Sequence, residues 1–305
     1  MNKLQKILGE YLTIRRSLGF ELRDAEALLR KFIAYLKKKK CHHIKNELTM
    51  AFVTKNPKAA PSWQAHNLRT IRLFALYLQV FDKKTEIPPK ELLPFSYHRR
   101  PPFIFEDDDI IHLLKAFQGE GTFEMETYFV LFGLIAVTGM RTSEAYLLKN
   151  SSIDLRQGII NIHESKNHKS RKIPIRPSVV KVLKRYTKLK NHHLHCITSD
   201  YFFVQSNGSK LNLGRTRRAF KRACTLAEIG KGDMFCPRIT DLRHYFAVKT
   251  MVNCHKEGVN PETIIPVLSM YLGHENPKHT YWYLTATEEL MTLIEKRTEK
   301  IGGNL

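Results

Sequence analysis

Four side chains of types that can act on a phosphate group stand in this chain: Arg141, Arg243, His274 and Tyr283. A tyrosine hydroxyl is a weak nucleophile until its proton is removed and the charge on its electrophile is neutralised. A phosphodiester carries that negative charge, and fixed cations stabilise the charge that develops during attack. Two guanidinium groups, an imidazole and a phenol around one phosphate would therefore let a tyrosine displace an oxygen from phosphorus.

Arg141 is predicted at the joint between two helices. Residues 128–137 are almost continuously apolar and are predicted to form a buried helix that ends at Thr138-Gly139. Helical spacing resumes beyond Arg141 and continues to Leu148. A surface arginine at a turn is the alternative interpretation, but the apolar neighbours favour a poorly solvated cation that the fold supports.

Two further helix ends are predicted near Arg243 and upstream of the tyrosine. Arg243 follows Thr240 and Asp241, either of which is suited to the start of a helix. Residues 268–272 are predicted to end another helix, and Gly273 supplies the stop. Helix ends would thus present both the second arginine and the residue that follows Gly273.

The segment after residue 273 is predicted to carry two more helices. Pro277 suits the first turn of a short helix that leads to Tyr283. Residues 288–301 form an amphipathic pattern that could cover the core of its own chain or dock onto a neighbouring subunit.

A hairpin with a basic tip is predicted between these regions. Residues 157–163 and 171–175 have the composition of paired strands, and residues 165–170 between them are strongly basic. A lysine on such a tip, Lys166 or Lys169, can enter a minor groove and give a proton to a leaving oxygen. A solvated hairpin without a chemical role is the alternative for this segment alone.

The charge of the chain indicates a polyanionic partner. Its net charge is +21 and its isoelectric point is about 9.8, which favours nucleic acid. An anionic membrane is the competing partner, but no basic amphipathic anchor stands apart from the rest of the sequence. No apolar run reaches the roughly 20 residues that span a bilayer, and the first residues lack the apolar core of a signal peptide. We therefore expect no membrane partner and a cytoplasmic location.

The cysteines and glycines favour neither a metal site nor a nucleotide cofactor. Five cysteines are scattered along the chain without a C-x-x-C pair, which argues against a disulfide framework and against a zinc knuckle. Neither a G-x-G-x-x-G loop nor a Walker-type loop is present. We expect reduced thiols, no metal and no cofactor.

The pattern of helices and prolines divides the chain into two domains. The first 83 residues are predicted to form a bundle of four helices, whereas the remainder is predicted to be mainly α with a small β-hairpin or sheet. Prolines break helical spacing between them, at positions 88, 89, 94, 101 and 102. Residues 84–105 are therefore predicted as a linker between a domain at 1–83 and a second domain at 106–305.

Four motifs in order resemble the tyrosine recombinase family, also called the phage integrase family. They are Thr138-Gly139-Met140-Arg141-Thr142-Ser143-Glu144, the Lys166 hairpin, Asp241-Leu242-Arg243-His244, and Leu272-Gly273-His274 followed by Tyr283. The resemblance covers residues 106 to about 300, and residues 1–83 resemble the helical core-binding domain of the family more weakly. It implies a site-specific DNA recombinase or integrase that works through a covalent 3′-phosphotyrosine intermediate, as an assembled tetramer on two double-stranded DNA sites.

The resemblance also implies a role for each residue. Arg141 and Arg243 would clamp the non-bridging oxygens of the scissile phosphate, and Lys166 rather than Lys169 would be the general acid. His274 would hydrogen-bond the phosphate or assist the nucleophile. Residues two apart on a helix point to different sides, so only one of Tyr281 and Tyr283 can face the phosphate. The nine-residue interval from His274 selects Tyr283. Neither a metal nor ATP is implied.

The chain departs from the family pattern at Thr240. The family usually has a histidine, sometimes a lysine, three residues before the second arginine. A threonine hydroxyl can donate to a phosphate but is no acid or base near neutral pH. Thr240 therefore keeps open a relative that binds DNA with weak or no strand transfer. A type IB topoisomerase is a third hypothesis, although the four-helix first domain and the last helix favour the recombinase.

Overall fold

The computed structural model describes residues 3–90, 92–93, 100–118, 121–163, 170–195, 197–232, 236–273 and 280. Three of the five predicted site residues, Lys166, His274 and Tyr283, lie outside the described residues, as do the two competitors Lys169 and Tyr281. The predicted helix at 288–301 lies outside them too. The chain divides into two compact units, Met1–Arg100 and Pro101–Leu305.

The first unit is a bundle of four helices. They are α1 (Lys3–Ser17), α2 (Arg23–Lys38), α3 (Asn46–Val53) and α4 (Pro61–Leu78). Apolar residues at helical spacing meet in one core, where Leu8, Phe32 and Phe74 are fully buried. Pro61 stands in the first turn of α4 as its fixed φ favours.

Part of the predicted linker packs on this bundle. Thr85 is buried, and the amide of Glu86 donates to the carbonyl oxygen of Ile44 at 2.9 Å. The Glu86 carboxylate in turn accepts from the amide of Asn46 at 2.7 Å. Prolines exclude a regular helix, but they do not keep extended residues from burying side chains or from hydrogen bonding.

The second unit is mainly helical around a central apolar helix. Within the described residues its helices are α5 (Asp107–Lys115), α6 (Phe123–Thr138), α7 (Thr142–Tyr146), α8 (Pro177–Leu194), α9 (Leu213–Leu226), α10 (Asp241–Lys256) and α11 (Pro261–Leu272). Helix α6 packs against α8 and α10, which accounts for its lack of a polar face. Phe105, from the end of the predicted linker, joins the core of this unit.

A three-stranded antiparallel sheet flanks these helices. Its strands β1 (Ile153–Asp154), β2 (Ile159–Ile162) and β3 (Arg171–Pro174) are arranged in that order. The described ladder between β2 and β3 ends where Ile162 pairs with Arg171. Residues 164–169, between the two strands, lie outside the described residues.

The predicted fold class, mainly α with a small sheet, is confirmed. The apolar run Tyr201-Phe202-Phe203-Val204 also predicts a short strand from its composition. That prediction is wrong, since Tyr201 and Val204 make only isolated bridges, to Lys149 and Lys210. Phe202 and Phe203 are nevertheless buried, so the apolar run indicates burial and not strand structure. None of the helices in the described part of the chain combines the length and the apolar character needed to cross a membrane.

Candidate active site

The last three carbonyl groups before residue 274 each accept a hydrogen bond from a different arginine. Tyr271 O accepts from Arg171 Nε at 2.8 Å, and Leu272 O accepts from Arg243 Nη2 at 2.7 Å. Gly273 O accepts from Arg141 Nη2. The carbonyls at the end of α11 have no partner within the helix and carry the negative end of its dipole, so cations are favoured there.

Arg243 connects the end of α11 to the end of α6. Its side chain is almost buried, with 6% of the residue exposed, and its Nη1 donates to Gly139 O at 2.8 Å. Gly139 closes α6 in the left-handed conformation, with φ 60°. The Arg243 guanidinium group therefore binds the carbonyl groups at the ends of two helices, Gly139 after α6 and Leu272 in α11.

Both glycines are required by space as well as by backbone conformation. A Cβ on Gly139 would lie 2.3 Å from Phe246 Cδ1, closer than any real contact, and φ is already positive there. A Cβ on Gly273, with φ 69°, would lie 3.0 Å from Arg171 Nη1 and 3.3 Å from Arg141 Nη1. The close approach of arginines to the backbone at Gly273 thus depends on the missing side chain.

A buried carboxylate, Glu144, organises two of the arginines. Its Oε1 accepts from Arg141 Nη1 at 2.9 Å and from Arg171 Nη1 at 2.8 Å. Its Oε2 accepts from the Arg141 amide and from Arg171 Nη2, both at 2.7 Å. The side chain of Glu144 is only 7% exposed. Both carboxylate oxygens are thereby satisfied by charge-assisted hydrogen bonds.

The pKa of Glu144 is lowered despite its burial. Burial alone raises the pKa of a carboxyl group, but the hydrogen bonds and charge of Arg171, followed by those of Arg141, outweigh that effect. Glu144 therefore stays ionised at neutral pH. The described part of the site therefore contains three guanidinium groups and one carboxylate, and fixed N–H donors of this kind suit the negative charge that develops on a phosphate during phosphoryl transfer.

Arg141 and Arg243 are the two predicted site residues that the structure describes, and it brings them together at the end of α11. His274 follows Gly273 directly in the chain, and Lys166 belongs to the connection between β2 and β3. Thr240 is an exposed residue next to this site, and its carbonyl accepts from the Arg243 amide at 3.1 Å.

Glu144 and Arg171 are not among the site residues predicted from the sequence. A signal was present for both. Glu144 stands three residues after Arg141, the spacing at which a helix-start carboxylate accepts from an upstream amide. Arg171 stands two residues before Ile173, so on a strand both face the same side, and a cation facing a core needs a partner.

Solved structures share this fold over nearly the whole chain. The Tn1549 transposon integrase in complex with a circular intermediate DNA superposes with a TM-score of 0.67, at 15% identity, over 97% of this chain and 100% of that one. The XerH site-specific recombinase bound to difH substrate gives 0.65, at 18% identity, over 90% and 80%. The chain therefore has the fold of these two DNA-bound proteins.

Sequence comparison extends the likeness from fold to family. Residues 104–289 match the phage integrase family. The protein y4rB of Sinorhizobium fredii (strain NBRC 101917 / NGR234), described as an integrase/recombinase, is 36% identical over 98% of both chains. A tyrosine recombinase of Thermosipho africanus (strain TCF52B) is 25% identical over 97% of this chain and 100% of its own.

This chain belongs to the phage integrase family, the tyrosine recombinases. It is a site-specific recombinase/integrase that cleaves and rejoins DNA strands, as its family membership and the fold around Arg141 and Arg243 indicate. The hypothesis of a relative that only binds DNA is not favoured.

Proposed function

We propose that Arg141, Lys166, Arg243, His274 and Tyr283 form the catalytic site of this recombinase. The observation that carries the proposal is the convergence of Arg141 and Arg243 on the last two carbonyls before His274. Arg141 and Arg243, about a hundred positions apart in the sequence, are held at the end of α11 by these two hydrogen bonds. A site for one phosphate at this point would place the histidine beside it by chain connectivity alone.

In the proposed reaction the two arginines bind the non-bridging oxygens of the scissile phosphate. A guanidinium group has five N–H donors, so it can bind backbone oxygens and a phosphate at the same time. The hydrogen bonds to Gly139, Leu272 and Gly273 would fix the direction of each fork before DNA binds. Such fixed donors need no reorganisation when negative charge develops on the phosphate oxygens.

Strand cleavage exchanges one phosphate ester for another. The phenolic oxygen of Tyr283 forms a bond to phosphorus while the bond from phosphorus to the 5′ oxygen breaks, and the phenol proton passes to His274 or to water. Lys166 gives a proton to the departing 5′ oxygen, and His274 hydrogen-bonds the phosphate or assists the phenol. Attack of a 5′ hydroxyl on the phosphotyrosine bond reverses these steps and rejoins a strand.

Thr240 affects which residues transfer protons in this reaction. Since a hydroxyl group neither gives nor takes a proton near neutral pH, proton transfer would rest on Lys166 and His274 alone. The exposed position of Thr240 next to Arg243 leaves its hydroxyl able to donate a hydrogen bond to a phosphate oxygen. Strand transfer therefore remains chemically complete without a histidine at this position.

The proposed partner is double-stranded DNA, bound by a homotetramer. Full exchange between two duplex sites cuts four strands, and each cut consumes one Tyr283, so four chains supply the nucleophiles. The net charge of +21 supports binding along many phosphates. We further propose that residues 1–83 bind DNA together with the catalytic unit, and that the enzyme acts on DNA in the cytoplasm.

A covalent complex on a suicide DNA substrate tests the nucleophile. A nick near the cleavage point lets the short fragment that carries the new 5′ hydroxyl diffuse away, so rejoining is prevented. The protein bound covalently to DNA then accumulates and migrates as a heavier band on a denaturing gel. We expect this adduct from the wild-type protein and from Tyr281→Phe, but not from Tyr283→Phe. An adduct that persists in Tyr283→Phe and disappears in Tyr281→Phe would show that Tyr283 is not the nucleophile.

A further inference from the structure

Arg171 is the arginine of the network that no proposed catalytic step uses. All of its described hydrogen bonds go to the protein: Nε to Tyr271 O, Nη1 and Nη2 to the two oxygens of Glu144. Its side chain is 11% exposed. A bidentate arginine–carboxylate pair has a fixed geometry, so Arg171 is held more rigidly than a surface cation would be.

Arg171 lies at the end of β3 that is joined to the connection carrying Lys166. Arg171 is the first residue of β3, paired with Ile162 at the last described rung before residues 164–169. Lys166 is therefore attached within five residues of an anchored backbone. Along β3, Arg171 and buried Ile173 face the core, whereas Lys172 between them is exposed.

Arg171 binds the same two segments that hold Arg141. Glu144 accepts two hydrogen bonds from Arg141 and two from Arg171. Arg171 also donates to Tyr271 O, two residues before the Gly273 carbonyl that accepts from Arg141. The distance between the strand end and the phosphate-binding arginine is thus set by one rigid bridge from β3 through Glu144 to the start of α7. In a proton transfer, an error of about 1 Å in such a distance can cost a hundredfold in rate.

We propose that Arg171 is a positioning residue that holds the Lys166 connection at the correct distance from the phosphate bound by Arg141 and Arg243. This inference rests on the proposed role of Lys166 as general acid. Arg171 itself does not touch the phosphate, because Glu144 neutralises its charge and its described donors point at Glu144 and Tyr271. Arg171 would affect the reaction by positioning Lys166, which gives a proton to the departing 5′ oxygen.

A substrate that needs no general acid separates this role from a purely structural one. When sulfur replaces the bridging 5′ oxygen, the leaving group is a thiolate, which departs without a proton because thiols ionise near pH 8.5. Cleavage rates are measured on oxygen and sulfur suicide substrates for wild type, Lys166→Ala, Arg171→Gln and Arg171→Lys. Lys172→Gln, on the exposed side of β3, is the matched control.

We expect Arg171→Gln to cleave the oxygen substrate about a hundredfold more slowly than wild type. On the sulfur substrate it should recover to near the wild-type rate, as Lys166→Ala should. Arg171→Lys keeps the charge but not the bidentate geometry, so it should show the same pattern to a smaller extent. An Arg171→Gln protein that is equally slow on both substrates, beside a recovered Lys166→Ala, overturns the positioning role and leaves the proposed function intact.

A second measurement keeps the inference testable if Lys166 is not the acid. Failure of Lys166→Ala to recover on sulfur would contradict the proposed function. Hydrogen exchange of backbone amides in the DNA-free full-length protein measures whether Arg171 anchors β2 and β3. We expect faster exchange in β2 and β3 of Arg171→Gln, with unchanged exchange in α6 and α10. Unchanged exchange in the two strands, or uniform loss of protection throughout the unit, would refute an anchoring role for Arg171.

Discussion

The guanidinium group of Arg141 donates to the carbonyl oxygen of Gly273, which lies 132 positions further along the chain. Arg243 makes the equivalent bond to the preceding carbonyl, that of Leu272. The cations proposed to bind phosphate are therefore held by the backbone that leads directly to His274. Any movement of that backbone would be transmitted to the two arginine forks, so one element would position both the proposed phosphate clamp and the residue that follows it, His274.

Replacing either arginine by lysine should abolish cleavage while leaving DNA binding largely intact. Lysine keeps the charge but cannot reproduce the bidentate fork, nor hold a helix carbonyl and a phosphate in fixed directions. We expect Arg141→Lys and Arg243→Lys to form covalent adduct at least a hundredfold more slowly, as when a fixed oxyanion donor is lost. Gel-shift affinity on the same DNA should change by less than tenfold, because most phosphate contacts lie elsewhere.

An exposed arginine provides the control for this pair. Arg185 makes an ion pair with Glu126 at the surface, with 61% of its side chain exposed. Arg185→Lys should cleave at the wild-type rate. Adduct formation at the wild-type rate by Arg141→Lys would show that this arginine is not part of the phosphate clamp.

Substitution of Gly139 should destabilise the second unit far more than its backbone conformation alone requires. Gly121 has nearly the same φ, 61° against 60°, but a Cβ there would meet no atom within 4 Å. Gly121→Ala should therefore cost about 1–2 kcal/mol, the left-handed penalty by itself. Gly139→Ala adds a clash with Phe246 and should cost about 3 kcal/mol or more.

Urea denaturation of the full chain measures this difference between the two glycines. The transition of the second unit can be followed by hydrogen exchange of the backbone amides in α6, a helix of that unit, so that it is not confused with unfolding of the first unit. Equal costs at the two positions would mean that Phe246 yields easily, and that the approach of Arg243 to Gly139 does not depend on glycine.

Much of the fold was predictable from the sequence because the apolar pattern is strong in the elements that form it. Helix α6 was predicted from its continuous apolar run, and its end at Gly139 from the glycine itself. The two strands beside residues 164–169 followed from composition and alternation. The position of Arg141 between two helices follows from these local signals.

Long-range partners were not predictable from local patterns. Nothing in the spacing of Arg171 indicates that Tyr271, a hundred residues later, accepts its Nε hydrogen bond. Glu144 was visible as a residue of the first motif, but only the tertiary structure gives it a second arginine. The strand expected at 201–204 failed for the same reason, since aromatic residues enter a helical core as readily as a sheet.

The pH dependence of stability should report the ionisation of Glu144. Its pKa in the folded protein is lower than the ordinary value of about 4.3, so the ionised form stabilises the fold. This contribution is fully present above about pH 4.3 and is lost as pH falls through the lower folded-state pKa. Replacing Glu144 by glutamine removes it and leaves two arginines without a counter-charge, at a cost of about 3 kcal/mol at pH 7.

The difference in free energy of unfolding between wild type and Glu144→Gln isolates this group from other titrations. We expect the difference to be constant from pH 7 to pH 5 and to shrink as the pH falls below about 4.3, the ordinary pKa of a glutamate side chain. Glu228→Gln is a suitable control, because its ion pair with Lys231 is exposed, with 70% and 73% of the two side chains accessible. A difference that does not decrease in acid would mean that the Glu144 carboxylate contributes nothing through its charge.

DNA affinity should fall steeply with salt, and the slope should count the phosphate contacts. With a net charge of +21, a footprint of about 6–10 neutralised phosphates is within reach, and such a footprint loses about 10³–10⁵ in affinity between 50 and 200 mM salt. Each lost contact lowers the slope by about 0.9. Arg243→Gln removes a side chain proposed to bind phosphate and should lower the slope by about one contact, whereas Arg185→Gln should leave it unchanged. A response to salt that is flat for the wild-type protein would contradict the duplex backbone as the surface that this chain recognises, because released counterions are the unavoidable consequence of binding it.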